Sequence, residues 1–342
     1  MQRSALAVFA MLMPVCAFAA TGGWKIQQRY PLGGEGGWDY LALDQASQHL
    51  YISRSDRVIV LDARDGKRVG EIDGLSGVHG IALADDLHKG FISNGHADTV
   101  TVFDPATLKV EKTVAVDAKD PDGIVYDPYS HRVFTFNGDS NDASVIDAKS
   151  GKLLGHVALP GGPEFPVSDG HGHVFDNIES KNALVEIDPV AMKVTATWPL
   201  KDCDSPSGLA IDVAHHRLFS VCQNKVMAVT DATDGRQVAS VPIGEGPDAA
   251  RYDAQRGLVF SSNGHSGTLT VVREAAPDRY EVLANVPTQK SARTMALDDA
   301  TGRIYLSAAE LGPRPAPTAA DPHPRPTVKP GSFTILVVGP TH

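Results

Sequence analysis

Short runs of alternating apolar and polar residues, each closed by Asp, Gly or Pro, fill the chain from residue 24 onward. A period of two puts successive side chains on opposite faces of an extended backbone, so these runs predict strands and not helices. The runs also recur as a set. A strand ending LALD at Asp44 returns as IALA at Ala84, IVYD at Asp127, PVSD at Asp169, LAID at Asp212, ARYD at Asp253 and MALD at Asp298, in steps of 40, 43, 42, 43, 41 and 45 residues. A second strand follows each, as in HLYIS (49–53), KGFIS (89–93), HRVFTF (131–136) and HRLFSV (216–221). The third ends in Asp at Asp62, Asp104, Asp147, Asp188 and Asp231, and after a turn comes a fourth run such as KVEKTVAV (109–116).

Four strands per repeat of this length make one propeller blade, and the repeat is present seven times. The fold class is therefore read as an all-β, seven-bladed β-propeller with four antiparallel strands per blade. The last repeat holds only MALD, RIYLS (303–307) and FTILVV (333–338), while WKIQQRYPLG (24–33) resembles fourth-strand runs such as QVASVPIG (237–244). The N-terminal strand is thus expected to complete the last blade, tying the two ends together and leaving no open edge. An open β-solenoid would not need that completion.

Export is read from the first residues. Arg3 gives a positive start, Ser4 to Met13 an apolar run, and Ala17-Phe18-Ala19 small residues at the cleavage positions, so residues 1–19 are expected to be a signal peptide and 20–342 a single periplasmic propeller domain. The apolar run is shorter than the roughly 20 residues of a membrane span, and Pro14 interrupts it. No membrane span is expected after cleavage. The layout of LALDQASQHLYIS and MALDDATGRIYLS resembles the YncE-like, or YVTN-repeat, family of exported bacterial propellers, with ISRSDRVIVLD and SNGHADTVTVFD as the nearest forms of its motif. That resemblance covers the mature chain and implies the fold and export, but no residue roles.

Loss of Arg3 with the signal moves the formal charge from −10 to −11, and no cluster of Lys and Arg offsets it, so no nucleic-acid partner is expected. Chemistry is sought where propellers usually hold ligands, at the channel mouth, where the loops leading into the first strands lie. Five residues before each repeat endpoint stand Asp39, His79, Asp122, Glu164, Ser207, Asp248 and Arg293, all polar, and equivalent blades would bring them into a ring. The following positions hold Tyr40, Gly80, Gly123, Phe165, Gly208, Ala249 and Thr294. His79, Asp122 and Glu164 come from consecutive blades and are suitable donors for a divalent metal ion, the one cofactor considered. Arg293 follows Asp248 and precedes Asp39 in ring order, which makes it their expected charge partner.

The loops between second and third strands carry Asn94-Gly95-His96, Asn137-Gly138-Asp139 and Asn263-Gly264-His265. The Asn-Gly pairs are expected as hairpin turns, and His96 and His265, from nearly opposite blades, as residues flanking a larger ligand. Cys203 and Cys222 are expected to form a disulfide in an oxidising compartment. The proline-rich stretch 309–331 is expected as an extended loop on the mouth face. Gly-x-Ser-x-Gly, His-Glu-x-x-His and Cys-x-x-Cys-His motifs are absent from the sequence, and the Asp139-Ser140-Asn141-Asp142 stretch has Ser150 where a calcium loop needs an acid. The function expected is a periplasmic binding or scaffold propeller engaging a small polar ligand or an envelope protein at the mouth. The alternative is a metal-dependent, lactonase-like hydrolase or lyase.

Overall fold

Val, Ile and Phe alternate with Ser, Thr and charged residues along each run, which suits a pleated surface buried between neighbours. The computed structural model describes residues 23–341 except 277, 319–323 and 325, and the segment read as a signal peptide lies outside the described residues. The described residues form 28 strands, β1 to β28 in chain order, arranged in seven four-stranded antiparallel sheets. The innermost strands of blades 1 to 7 are β2 (Leu41–Asp44), β6 (Val78–Ala84), β10 (Pro121–Asp127), β14 (Pro163–Ser168), β18 (Pro206–Asp212), β22 (Pro247–Asp253) and β26 (Met295–Asp298). The N-terminal strand β1 (Trp24–Pro31) pairs antiparallel with β28 (Thr334–Pro340), from Trp24 opposite Pro340 to Pro31 opposite Thr334. It therefore closes blade 7, as its sequence predicts. No helix among the described residues is long and apolar enough to cross a membrane.

The core lies between the blades. Each interface has its own apolar layer, such as Tyr30, Leu50, Leu61, Tyr305 and Phe333 between blades 7 and 1, and Phe134, Val145, Val174 and Ile187 between blades 3 and 4. Each of these large side chains contributes about 1.5–3 kcal/mol through burial. The Asp residues ending the third strands have a local task. Asp62, Asp104, Asp188 and Asp231 each accept the backbone N–H two residues on, and Asp147 that three residues on, shaping the turn to the fourth strand.

A belt of side-chain hydrogen bonds sets the inner strands at the mouth. Ser93 Oγ donates to Asp122 O (2.5 Å), Asn177 Nδ2 to Ser207 O (2.8 Å), Ser207 Oγ to Pro247 O (3.2 Å) and Thr294 Oγ1 to Asp39 O (2.6 Å), each crossing to the next blade. Glycine permits this closeness: a Cβ on Gly123 would stand 2.4 Å from Glu164 O, and one on Gly208 2.6 Å from Ala249 Cα.

The Asn-Gly pairs are not two-residue hairpin turns. Asn94 ends β7 (Lys89–Asn94) in extended conformation, and β8 (Thr99–Phe103) begins after a four-residue loop whose left-handed residue is Asp98. Asn94 Nδ2 reaches Thr101 Oγ1 (3.0 Å), Asn137 Nδ2 reaches Ser144 Oγ (2.9 Å) and Asn263 Nδ2 reaches Thr270 Oγ1 (2.9 Å). The Asn amide thus braces strand two against strand three, and the glycine N–H docks on the incoming loop, as in Gly95 N to Gly77 O (2.7 Å).

Cys203 and Cys222 form a disulfide with Cα atoms 5.3 Å apart, joining the approach to β18 to the end of β19 (Arg217–Cys222). The proline-rich stretch springs from a paired base, with Leu311 bridged to Val328 and Lys329 Nζ 2.7 Å from Glu310 Oε2. This base joins the second and third strands of blade 7, the side on which the mouth lies.

Candidate binding site at the channel mouth

The first residues of the inner strands and the loops before them supply the ring. The loop into β2 is held from below by Arg54, whose side chain is buried and donates to the carbonyls of Gly33, Glu35, Gly36 and Gly37 at 2.7–3.2 Å while its guanidinium lies 3.9 Å from the Phe333 ring centre. This loop delivers Trp38 and Asp39. On the other side Arg293 donates to Trp38 O (3.1 Å).

One arc of the ring neutralises itself. Arg293 Nη1 lies 3.0 Å from Asp248 Oδ2 and its Nη2 3.6 Å from Asp39 Oδ1, and the Asp248 and Asp39 charges hold the guanidinium firmly protonated. His79 Nδ1 is 2.8 Å from Asp39 Oδ2 and 3.6 Å from Asp122 Oδ1, while Nε2 is 3.7 Å from Asp120 Oδ1. Burial opposes the imidazolium, but the Asp39 hydrogen bond and the charges of Asp122, Asp39 and Asp120 outweigh it and push the pKa up to about 9. His96 joins Trp38, Asp39, His79 and Arg293 around a cavity of about 340 Å³. His265 packs instead beside Gly246 near blade 6 and does not line that cavity.

The arc over blades 3 and 4 has no such counter-ion. Burial, with Asp39 beside it and only partly offset by His79, pushes the Asp122 carboxyl up to about 7. Of the Asp122 side chain 36% remains open to water in the mouth, and that water screens its charge. Glu164 is raised well above the usual carboxylate range by burial and by Asp122, Glu179 and Asp248, and it shares a hydrogen bond with Glu179. Behind them Asp176 is fully buried, with no hydrogen bond of normal geometry to either oxygen among the described residues. Burial raises it well above its usual range, although the Glu164 amide favours its charged form. Its register partner is Pro166, whose ring faces Gly123 of blade 3, so Asp176 points at the same inter-blade gap. Ser207, the blade 5 member, is turned into the belt.

Of the three metal donors expected from sequence, His79 and Asp122 converge, but the group with ligand atoms within 4.8 Å is Asp39, His79 and Asp122; Glu164 is outside it. A second such group, Asp212, His215 and Glu274, lies at the opposite end of the strands, where Asp212 also accepts the Ala214 N–H of its turn.

Tyr40 and Phe165 close the channel beneath the ring. They are the large exceptions at a position held elsewhere by Gly, Ala or Thr, and their blades are as far apart as a ring of seven allows. Their ring centres nonetheless stand 5.1 Å apart, across the axis. The mouth is therefore a blind cup with acidic walls and an aromatic floor. Besides Tyr40 and Phe165, sequence reasoning missed Asp120, Asp176 and Glu179 as members of the site.

No protein-family model and no curated protein matches the chain. Among solved structures, the chain is similar to the structure of U3-55K and to the RRP9 WD40 repeats, each with TM-score 0.75 and 10% identity over 92% of this chain and 98% and 97% of theirs. It is also similar to Kuenenia stuttgartiensis hydrazine synthase, with TM-score 0.68 and 16% identity over 80% of this chain and 94% of that one. The chain is a seven-bladed β-propeller. At these identities the likeness concerns the fold alone.

Proposed function

We propose that the chain is an exported binding propeller of the YncE-like kind, working in the periplasm, whose mouth cup captures a small polar ligand bearing a positive charge. The observation that carries this reading is the imbalance of the cup: among the described residues Asp39, Asp120, Asp122, Glu164, Glu179 and Asp248 stand against Arg293 and His79, and both cations sit over blades 7, 1 and 2. A ligand cation over blades 3 and 4 would meet Asp122 and Glu164 as acceptors and the Tyr40 and Phe165 rings as a floor suited to cation–π contact. An organic ammonium suits this arc better than a metal ion. A metal on Asp39, His79 and Asp122 would have to displace the proton that His79 Nδ1 shares with Asp39 at 2.8 Å.

The second reading, a divalent-metal hydrolase or lyase, rests on the convergence of those three donors. Elemental analysis of mature protein purified from the periplasm without chelator separates the two. Absence of stoichiometric metal, together with binding of a simple ammonium, supports the binding propeller. A stoichiometric divalent ion lost in Asp122→Ala would overturn it in favour of the metal reading.

A further inference from the structure

Below the Tyr40–Phe165 partition the channel widens again into a separate chamber of about 300 Å³ that opens at the far face, past Gln45 and Asp299. Its walls come from the lower halves of the inner strands and include the aliphatic side chains of Leu41 and Leu43 of blade 1, Ile81 of blade 2, Ile124 of blade 3 and Leu297 of blade 7, with Tyr252 of blade 6 beside them. Two charged side chains line the chamber, Asp299 at the rim and Arg251 within. Arg251, from β22, lies over the lower side of the partition with its guanidinium 4.9 Å from the Phe165 ring centre. Its one hydrogen bond among the described residues runs from Nη1 to the neighbouring Ala250 O (2.8 Å), and no carboxylate of a described residue lies within 4 Å. Other enclosed arginines here are matched: Arg293 by Asp248 and Asp39, Arg217 by Asp231 and Asp278, and Arg54 by four carbonyls.

Arg251 is partly exposed to the chamber, and its free N–H groups form a fork that fits a carboxylate. Burial lowers Arg251 only to about 10, so it remains charged at neutral pH. We infer that this lower chamber binds a small organic monocarboxylate, its carboxylate on Arg251 and its aliphatic or aromatic body between Leu41, Leu43, Ile81, Ile124 and Leu297. One unit of positive charge matches one carboxylate. Asp299 at the rim disfavours a second negative charge, which argues against phosphate and dicarboxylates. The volume accommodates an acid of about six to eight carbons. The site is distinct from the mouth cup in wall chemistry and ligand charge, and the aromatic partition separates them.

The test is isothermal titration of the full mature protein with benzoate, hexanoate, acetate and inorganic phosphate. Benzoate and hexanoate are expected to bind once per chain, acetate about tenfold or more weaker for want of a body, and phosphate not at all. Arg251→Met should remove binding. Leu43→Trp, which fills the chamber and keeps the arginine, should do the same, with melting curves showing which variants are folded. The proposal is overturned if phosphate binds in preference to the carboxylates, if carboxylate binding survives a folded variant, or if neither benzoate nor hexanoate binds at about 10 mM.

Discussion

Replacing Asp39 by Asn probes the charge pairing that organises the mouth. His79 Nδ1 lies 2.8 Å from Asp39 Oδ2, and a hydrogen bond to a charged group is worth about 1.5–3 kcal/mol. At about 1.4 kcal/mol per pKa unit, Asp39→Asn should bring the His79 pKa down from about 9 by about 1–2 units. The same change alters stability against pH. Because the folded-state value is raised, the stabilisation is fully present below the ordinary value of 6.5 and is lost as pH rises through about 9, with about 3 kcal/mol at stake. Asp122 acts in the same direction: its carboxyl is raised from 3.8 to about 7, so stability falls as pH rises across that range, by an amount that water in the mouth reduces. Urea unfolding between pH 6 and 9.5 should therefore show stability falling with pH, with a shallower fall above pH 7.5 in Asp39→Asn, and histidine NMR should report the shifted titration. A wild-type His79 that titrates near 6.5, or one that Asp39→Asn leaves unmoved, would refute the reasoning.

Three further outcomes follow from packing. Cys203→Ser with Cys222→Ser opens a loop with a sequence separation of 19 residues, which should cost about 3 kcal/mol and lower the melting temperature by about 5 °C in calorimetry. Gly95→Ala would place a Cβ 2.3 Å from Asp120 Oδ1 and 2.7 Å from His79 Nε2, so it should destabilise by about 1–3 kcal/mol and shift the His79 NMR signals. Arg54→Leu strands four carbonyls and should cost about 3 kcal/mol or more in chemical denaturation, with Arg54→Lys failing to restore it because an ammonium lacks the planar fork.

The blades were legible because the period of two and the recurring turn acids are local properties of the chain, and because repetition adds seven weak signals together. WKIQQRYPLG could be assigned to the last blade because that blade lacked a strand. The positions of Asp39, His79, Asp122, Glu164, Asp248 and Arg293 also followed from equivalence, but equivalence fixes a backbone position and not a side-chain direction. Ser207 occupies the same position and turns into the belt. Asp176 was hidden because it stands on a second strand, where the corresponding residues are Ile52, Ile92, Thr135, Ser220, Ser261 and Leu306, and only the three-dimensional stack places it behind Asp122. The Asn-Gly loops misled for a different reason. The dipeptide is a strong turn signal, but here the Asn amide serves the strand beside it and Gly95 makes room for His79 and Asp120. Tyr40 and Phe165 did carry a usable signal, being large at a position that is otherwise small.

The most direct test of the cup as a cation-binding site compares n-butylammonium with its neutral counterpart N-butylacetamide by calorimetric titration, in the wild type and in Asp122→Asn with Glu164→Gln. Binding of the ammonium at least about tenfold tighter than the amide, with the preference lost in the double variant, is the predicted result. Equal binding of the two, or an ammonium preference that survives loss of both carboxylates, would contradict it.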